Sequence, residues 1–130
     1  MESTFSKTVL LIDDDKYICE IVKVCLEMFG NWKTTIARSG KEGLAALTTD
    51  LPDVIVLDVI MPNMDGLTVL KQLKENPQFA NIPVVLLTSR TDLIESQKLS
   101  QLRVQGAIAK PFHPTQLAEQ ISKILNWEEV

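Results

Sequence analysis

The chain has 130 residues, 45% of them hydrophobic and 23% charged, with a net charge of -4. That length suits one compact domain with a real core; no apolar run approaches the roughly 20 residues of a membrane span, and the acidic balance speaks against a nucleic-acid partner. The N-terminal MESTFSK lacks the charged-then-apolar layout of a signal peptide, so the expected location is cytoplasmic, with no membrane partner.

Strands and helices alternate from end to end. Residues 8–13 read as a buried strand. Residues 16–29 follow as a helix, with Ile18, Ile21, Val22, Cys25, Leu26 and Phe29 at helical spacing and Gly30-Asn31 as its stop. Cys19 and Cys25 lie about 9 Å apart along that helix and on different faces, which excludes a disulfide between them. Two thiols and the single His113 make zinc a poor fit. A weaker strand spans 32–37, and Ser39-Gly40 opens a short helix carrying Leu44 and Leu47. Leu51-Pro52 breaks it before the strand Asp53–Leu57.

The turn-rich loop VIMPNMDG comes next, then a helix with Leu67, Leu70 and Leu73 that ends before Pro77. Pro83 starts the strand Val84–Leu87. Asp92 with Glu95 three residues on predicts a capping-box start for a helix running to about Arg103, the least amphipathic of the five. Gly106 precedes the strand Ala107–Ala109, and Pro114 suits the first turn of a last helix carrying Leu117, Ile121, Ile124 and Leu125. His113 reads as a cap for that helix, Tyr17 as a packing residue at the start of the first, and Trp32 and Trp127 as structural or partner-facing. The expectation is one domain, residues 1–130 with a core of about 8–126: a doubly wound α/β fold whose parallel five-stranded sheet is covered by helices on both faces.

In such a sheet the C-terminal ends of all strands share one edge. Asp13, Asp14, Asp58, Thr88 and Lys110 each sit at such an end, so three carboxylates, a hydroxyl and an ammonium converge on one crevice. Mg²⁺ wants hard oxygen ligands and keeps several waters, which suits Asp14 and Asp58 as direct ligands, Asp13 through water and the Ile60 backbone carbonyl. Asp58, ending the central apolar strand and opening into a flexible loop, is the candidate nucleophile. A carboxylate attacks an anionic phosphoryl group only when cations neutralise the charge, here the metal on one side and Lys110 on the other. Thr88 can donate to a phosphoryl oxygen. Each residue alone has an ordinary explanation as a turn, cap or surface residue; their joint placement at strand tips points to the site.

The stretches LLIDDD (10–15), PDVIVLDVIMPNMDG (52–66), PVVLLTS (83–89) and AIAKPF (107–112) resemble the receiver domains of two-component response regulators over residues 8–126. The resemblance implies a chemotaxis-receiver-like, flavodoxin-like fold with strand order 2-1-3-4-5, for which such a receiver is the standard example. It also implies a cis Lys110-Pro111 peptide, and Asp58 as acceptor of a phosphoryl group from the phosphohistidine of a sensor histidine kinase or phosphotransfer protein. Asp13 and Asp14 then form the acidic pocket, Thr88 the phosphate-sensing hydroxyl and Lys110 the paired lysine. The interaction surface it implies is the side of the fourth helix, fifth strand and fifth helix. Such a protein signals by phosphorylation-dependent conformational change and protein contact. It would be a stand-alone regulator, a phosphorelay intermediate or a receiver cut from a longer chain, and not an enzyme beyond its own phosphorylation and slow dephosphorylation.

The chain departs from the family pattern in several places. Ala107 replaces the usual aromatic three residues before the lysine, so the signal is expected to pass through the loop after Thr88 or the fourth helix. The segment from Gly106 to Lys110 reads as shorter than the common GADDYLxKPF layout. Ile60 and Arg90, each two residues past a site residue, are expected to hinder the attacking water. Asp15 makes the acidic run a triple and leaves its register to be fixed. A haloacid-dehalogenase-type phosphatase would need an acid where Ile60 stands. The remaining alternative is a docking module that is not phosphorylated.

Overall fold

The computed structural model describes residues 5–127; residues 1–4 and 128–130, all outside the expected core of about 8–126, are not described. Among the described residues five parallel strands form one sheet, β1 (Lys7–Ile12), β2 (Trp32–Ala37), β3 (Val54–Leu57), β4 (Val84–Thr88) and β5 (Gly106–Ala109). Their order is β2-β1-β3-β4-β5, so the chain winds one way from β1 to β2 and the other way from β3 onward. Five helices cross between them: α1 (Lys16–Phe29), α2 (Gly40–Ala46), α3 (Gly66–Glu75), α4 (Ser96–Leu102) and α5 (Leu117–Leu125).

Alternation along the strands sorts the core into two layers. Leu10, Ile12, Ile55, Leu57, Val84 and Leu86 face Val69, Leu70 and Leu73 of α3, with half-buried Leu44, Leu99 and Leu102 from α2 and α4. Val9, Leu11, Val54, Val56, Val85 and Leu87 face Cys19, Val22 and Leu26 of α1 and Leu117, Ala118 and Ile121 of α5. Every residue of β3 and β4 is buried, which is why those segments read as unbroken apolar runs.

Some local expectations change. Asp92 does not cap α4: its carboxylate is taken by the Arg90 guanidinium, Nη2 to Oδ2 at 2.7 Å, inside a 3-10 turn over Thr91–Leu93. The helix starts only at Ser96, and Glu95 at its N-cap position makes no side-chain cap bond. In α1, Ile21 and Phe29 are 44% and 53% exposed, so the core face centres on Val22 and Leu26 and leaves Tyr17, Ile21, Val24 and Met28 as an outward apolar stripe. Tyr17 is therefore not a packing residue. His113 precedes a 3-10 turn, Pro114–Gln116, and caps it with its backbone carbonyl, not its ring. Nor is the stretch before Lys110 short. Seven residues before the lysine, where the GADDYLxKPF layout has glycine, stands Arg103, left-handed at φ 58 and closing α4, while Gly106 lies inside β5. Trp127 belongs to the body of the molecule: its ring meets buried Trp32 edge-on at 5.1 Å, with the Lys7 ammonium 4.8 Å from its centre.

Candidate functional site

The sheet's own ladder places the site residues. The Asp13 amide donates to the Ala37 carbonyl at 3.1 Å, the Asp58 amide to Ile12 at 2.9 Å and the Lys110 amide to Thr88 at 3.0 Å. Each bond extends a parallel pairing one residue past a strand end, so these side chains leave the sheet side by side. Asp15 is spent locally: its carboxylate caps α1, accepting from the Tyr17 and Ile18 amides. That fixes the register of the acidic run as Asp13-Asp14. Gly66 brings the return of the β3–α3 loop hard against the site, since its amide bonds the Val59 carbonyl and a Cβ there would overlap the Asp58 carbonyl oxygen. Asn63 in that loop takes a left-handed φ of 66, a conformation asparagine tolerates.

Lys110 lies between two acids, its Nζ 2.8 Å from Asp13 Oδ2 and 3.5 Å from Asp58 Oδ2. Asp13 is fully buried, and its other oxygen accepts from the Asp15 amide at 2.9 Å. Asp58 is also buried and accepts from the Ile60 amide at 3.3 Å. Asp14 is half-buried, and one carboxylate oxygen from each of Asp13, Asp14 and Asp58 falls within 4.8 Å of the others. Thr88 is buried, its Oγ1 accepting from the Arg90 amide at 3.0 Å, which leaves its own O–H to donate. Lys110-Pro111 is cis. Ile60 turns its side chain outward, 55% exposed.

The electrostatics are those of a crowded acid cluster. Burial first, and the Asp13 carboxylate second, push Asp58 up to about 6, with Lys110 opposing both. Burial works to lower the Lys110 ammonium, but its hydrogen bond and charge contacts with Asp13 and Asp58 outweigh it and hold the ammonium above its ordinary value. One ammonium cannot balance three carboxylates. Hard oxygen donors in this number and closeness fit a divalent cation of the magnesium type.

Two neighbours were missed in the sequence. The Arg38 guanidinium donates to the Asp14 carbonyl at 3.3 Å, and the Cys19 thiol to the Asp13 carbonyl at 3.1 Å. Arg38 follows the tip of β2 just as Lys110 follows β5, so the strand-tip rule would have found it; Cys19 carries no such signal.

Residues 9–122 match the family model described as the response regulator receiver domain. Among curated relatives, the alkaline phosphatase synthesis transcriptional regulatory protein PhoP of Bacillus subtilis is 31% identical over 96% of this chain and 51% of its own length. The probable transcriptional regulatory protein TcrX of Mycobacterium tuberculosis is 37% identical over 91% of this chain and 49% of its own. The chain thus spans about half the length of these relatives. Among solved structures, the chemotaxis response regulator CheY4 of Vibrio cholerae superposes with a TM-score of 0.81 at 29% identity, over 91% of this chain and 98% of that one.

Proposed function

Because this chain belongs to the response regulator receiver domain family, we propose that it is a phosphorylation-controlled signalling module whose phosphoacceptor is Asp58. The observation that carries this reading is the placement of Lys110 between Asp13 and Asp58 beside a three-carboxylate cluster. A partner's phosphohistidine, on a sensor histidine kinase or a phosphotransfer protein, is the proposed donor. An Asp58 carboxylate oxygen attacks phosphorus, the N–P bond breaks, and its electron pair returns to the imidazole nitrogen.

Receiver domains generally bind Mg²⁺; Asp14 and Asp58 directly, Asp13 through water and the Ile60 carbonyl would hold it here, and the ion would supply the charge neutralisation that lets a carboxylate meet a phosphoryl group. Lys110 supplies cationic charge from the other side and stays with the phosphoryl oxygens after transfer. The Thr88 hydroxyl, at the tip of β4, donates to one of those oxygens and so registers the new group. The protein catalyses only its own phosphorylation and a slow loss of phosphate. The family match speaks against the docking-only alternative, and the meeting of three acids with the Lys110 ammonium supports the phosphorylated reading instead.

The donor is proposed to meet α1. Its outward stripe, Tyr17, Ile21, Val24 and Met28, repeats at the four-three-four spacing a partner helix fits, and begins two residues after the Asp15 cap. The test is intact mass after incubation with acetyl phosphate, with and without Mg²⁺. The expected result is a Mg²⁺-dependent gain of one phosphoryl group that Asp58→Asn abolishes; no gain in the unsubstituted protein would overturn the reading.

A further inference from the structure

Between α3 and α4 runs a surface groove of about 270 Å³. Leu70 and Leu102, the first buried and the second half-buried, give it an apolar lining. Lys71, Lys74 and Arg103 line it too, and Glu75 is the one carboxylate beside them. In a chain of net charge -4, that gathers the minority sign in one place. Among the described residues none of the three cations, nor Glu75, is in an ion pair. Lys74 is half-buried, and its Nζ donates to the Ala80 carbonyl at 3.2 Å, which fixes the ammonium and leaves it donors to spare. Burial first, and the charge of Arg103 second, hold that ammonium below its ordinary value, so the two cations are close enough to repel.

Arg103 is also costly where it stands. Four described residues outside glycine have a positive φ; Asn31, Asn63 and Asn126 are three of them, and Arg103 at φ 58 is the fourth. Asparagine tolerates the left-handed region and glycine is at ease in it, whereas a long side chain gains nothing there from the backbone. The turn closing α4 therefore does not explain the arginine. Its guanidinium, beside Lys71 and Lys74, does.

We propose that the α3–α4 groove is a docking site for an acidic segment of a partner protein, with an apolar side chain on Leu70 and Leu102 and flanking carboxylates on Lys71, Lys74 and Arg103. Charge complementarity selects the chemistry, since a carboxylate relieves the repulsion that the empty groove contains. Size selects a side chain of a larger partner, because the groove is smaller than the roughly 300–1,000 Å³ of small-molecule pockets. The planar guanidinium adds a two-pronged fit to a carboxylate that lysine lacks. No residue of the Asp58 crevice lines this groove, so the proposal stands apart from the phosphoacceptor reading.

The test is made on the unphosphorylated protein with a short synthetic peptide of leucines flanked by aspartates. Binding is read from backbone amide shifts by NMR and from fluorescence anisotropy of the labelled peptide. Shifts are expected along α3 and at residues 101–103, and the same peptide with asparagines in place of the aspartates should not produce them. Arg103→Gly and Lys71→Gln should each weaken binding about ten-fold, as for one lost charge-assisted hydrogen bond. Arg103→Lys should recover part of it, and Glu75→Gln should tighten it. Urea melts keep binding distinct from folding: Arg103→Gly should lose affinity while being no less stable than the unsubstituted protein. Absence of groove shifts at millimolar peptide, or equal affinity in Arg103→Gly, overturns the proposal. So does equal binding of the asparagine peptide. Inorganic tripolyphosphate shifting the same amides as tightly as the peptide would make the groove a phosphate site and overturn it as well.

Discussion

Asp58 is the residue at which structure and chemistry conflict most, and the conflict is measurable. Its carboxyl is pushed up to about 6 from an ordinary 3.8. Between those values the folded protein keeps a proton that the unfolded chain has released, so stability falls as pH rises through that window and stays reduced above it. Asp58→Asn removes the penalty. Without divalent cations it should melt a few degrees higher than the unsubstituted protein at pH 7, roughly 2 kcal/mol, with the gap closing toward pH 4. Equal melting temperatures at pH 7 would contradict this. Ile60 tests a second residue-scale claim. Its outward apolar side chain beside the acceptor is expected to shed the attacking water, so Ile60→Asn should shorten the phosphoryl lifetime several-fold; an unchanged lifetime would remove Ile60 from the account. The site was legible at this scale because every member sits one or two steps past the end of an apolar run. Arg38 obeys the same rule and was passed over because its strand, WKTTIA, is the least apolar of the longer ones.

At the scale of elements, α1 and α4 carry the predictions. The α1 stripe separates donor recognition from chemistry: Ile21→Asp or Val24→Asp should slow transfer from a phosphohistidine protein at least ten-fold, yet leave phosphorylation by acetyl phosphate unchanged. Equal slowing with both donors would place the defect in the crevice instead. In α4, Arg103 closes the helix at φ 58, where a side chain costs about 1–2 kcal/mol that glycine avoids. Glycine's extra freedom in the unfolded chain returns part of that, so Arg103→Gly should stabilise the protein by about 0.5–1 kcal/mol in urea melts. Both elements were misread for physical reasons. Apolar periodicity in α1 runs wider than the buried face, and a sequence cannot say which of two adjacent stripes meets the sheet. The start of α4 was misplaced because Asp92 and Glu95 have capping spacing, while Arg90, two residues away, competes for the same carboxylate.

For the whole molecule, the doubly wound arrangement was readable because β3 and β4 are buried on both faces and tolerate only apolar side chains. The strand order was not readable from periodicity; it came from the family resemblance. The same two-layer core closes over both thiols. Burial, then the charge of Asp13, pushes Cys19 up to about 11, and burial raises Cys25 as well. Neither should react with a thiol reagent at pH 7 except through opening of the fold. Labelling of both is expected at a single rate that rises with urea in step with unfolding; rapid reaction of one thiol in native buffer would show a locally open helix α1.

The central claim is that one carboxylate among several takes the phosphoryl group, and borohydride trapping addresses it directly. An acyl phosphate on an aspartate is reduced to homoserine, which peptide sequencing by mass spectrometry locates to a single position. After treatment with acetyl phosphate and Mg²⁺, homoserine is predicted at position 58, with Asp13 and Asp14 intact. Homoserine at 13 or 14, or a phosphorylated protein that yields none, would contradict the account.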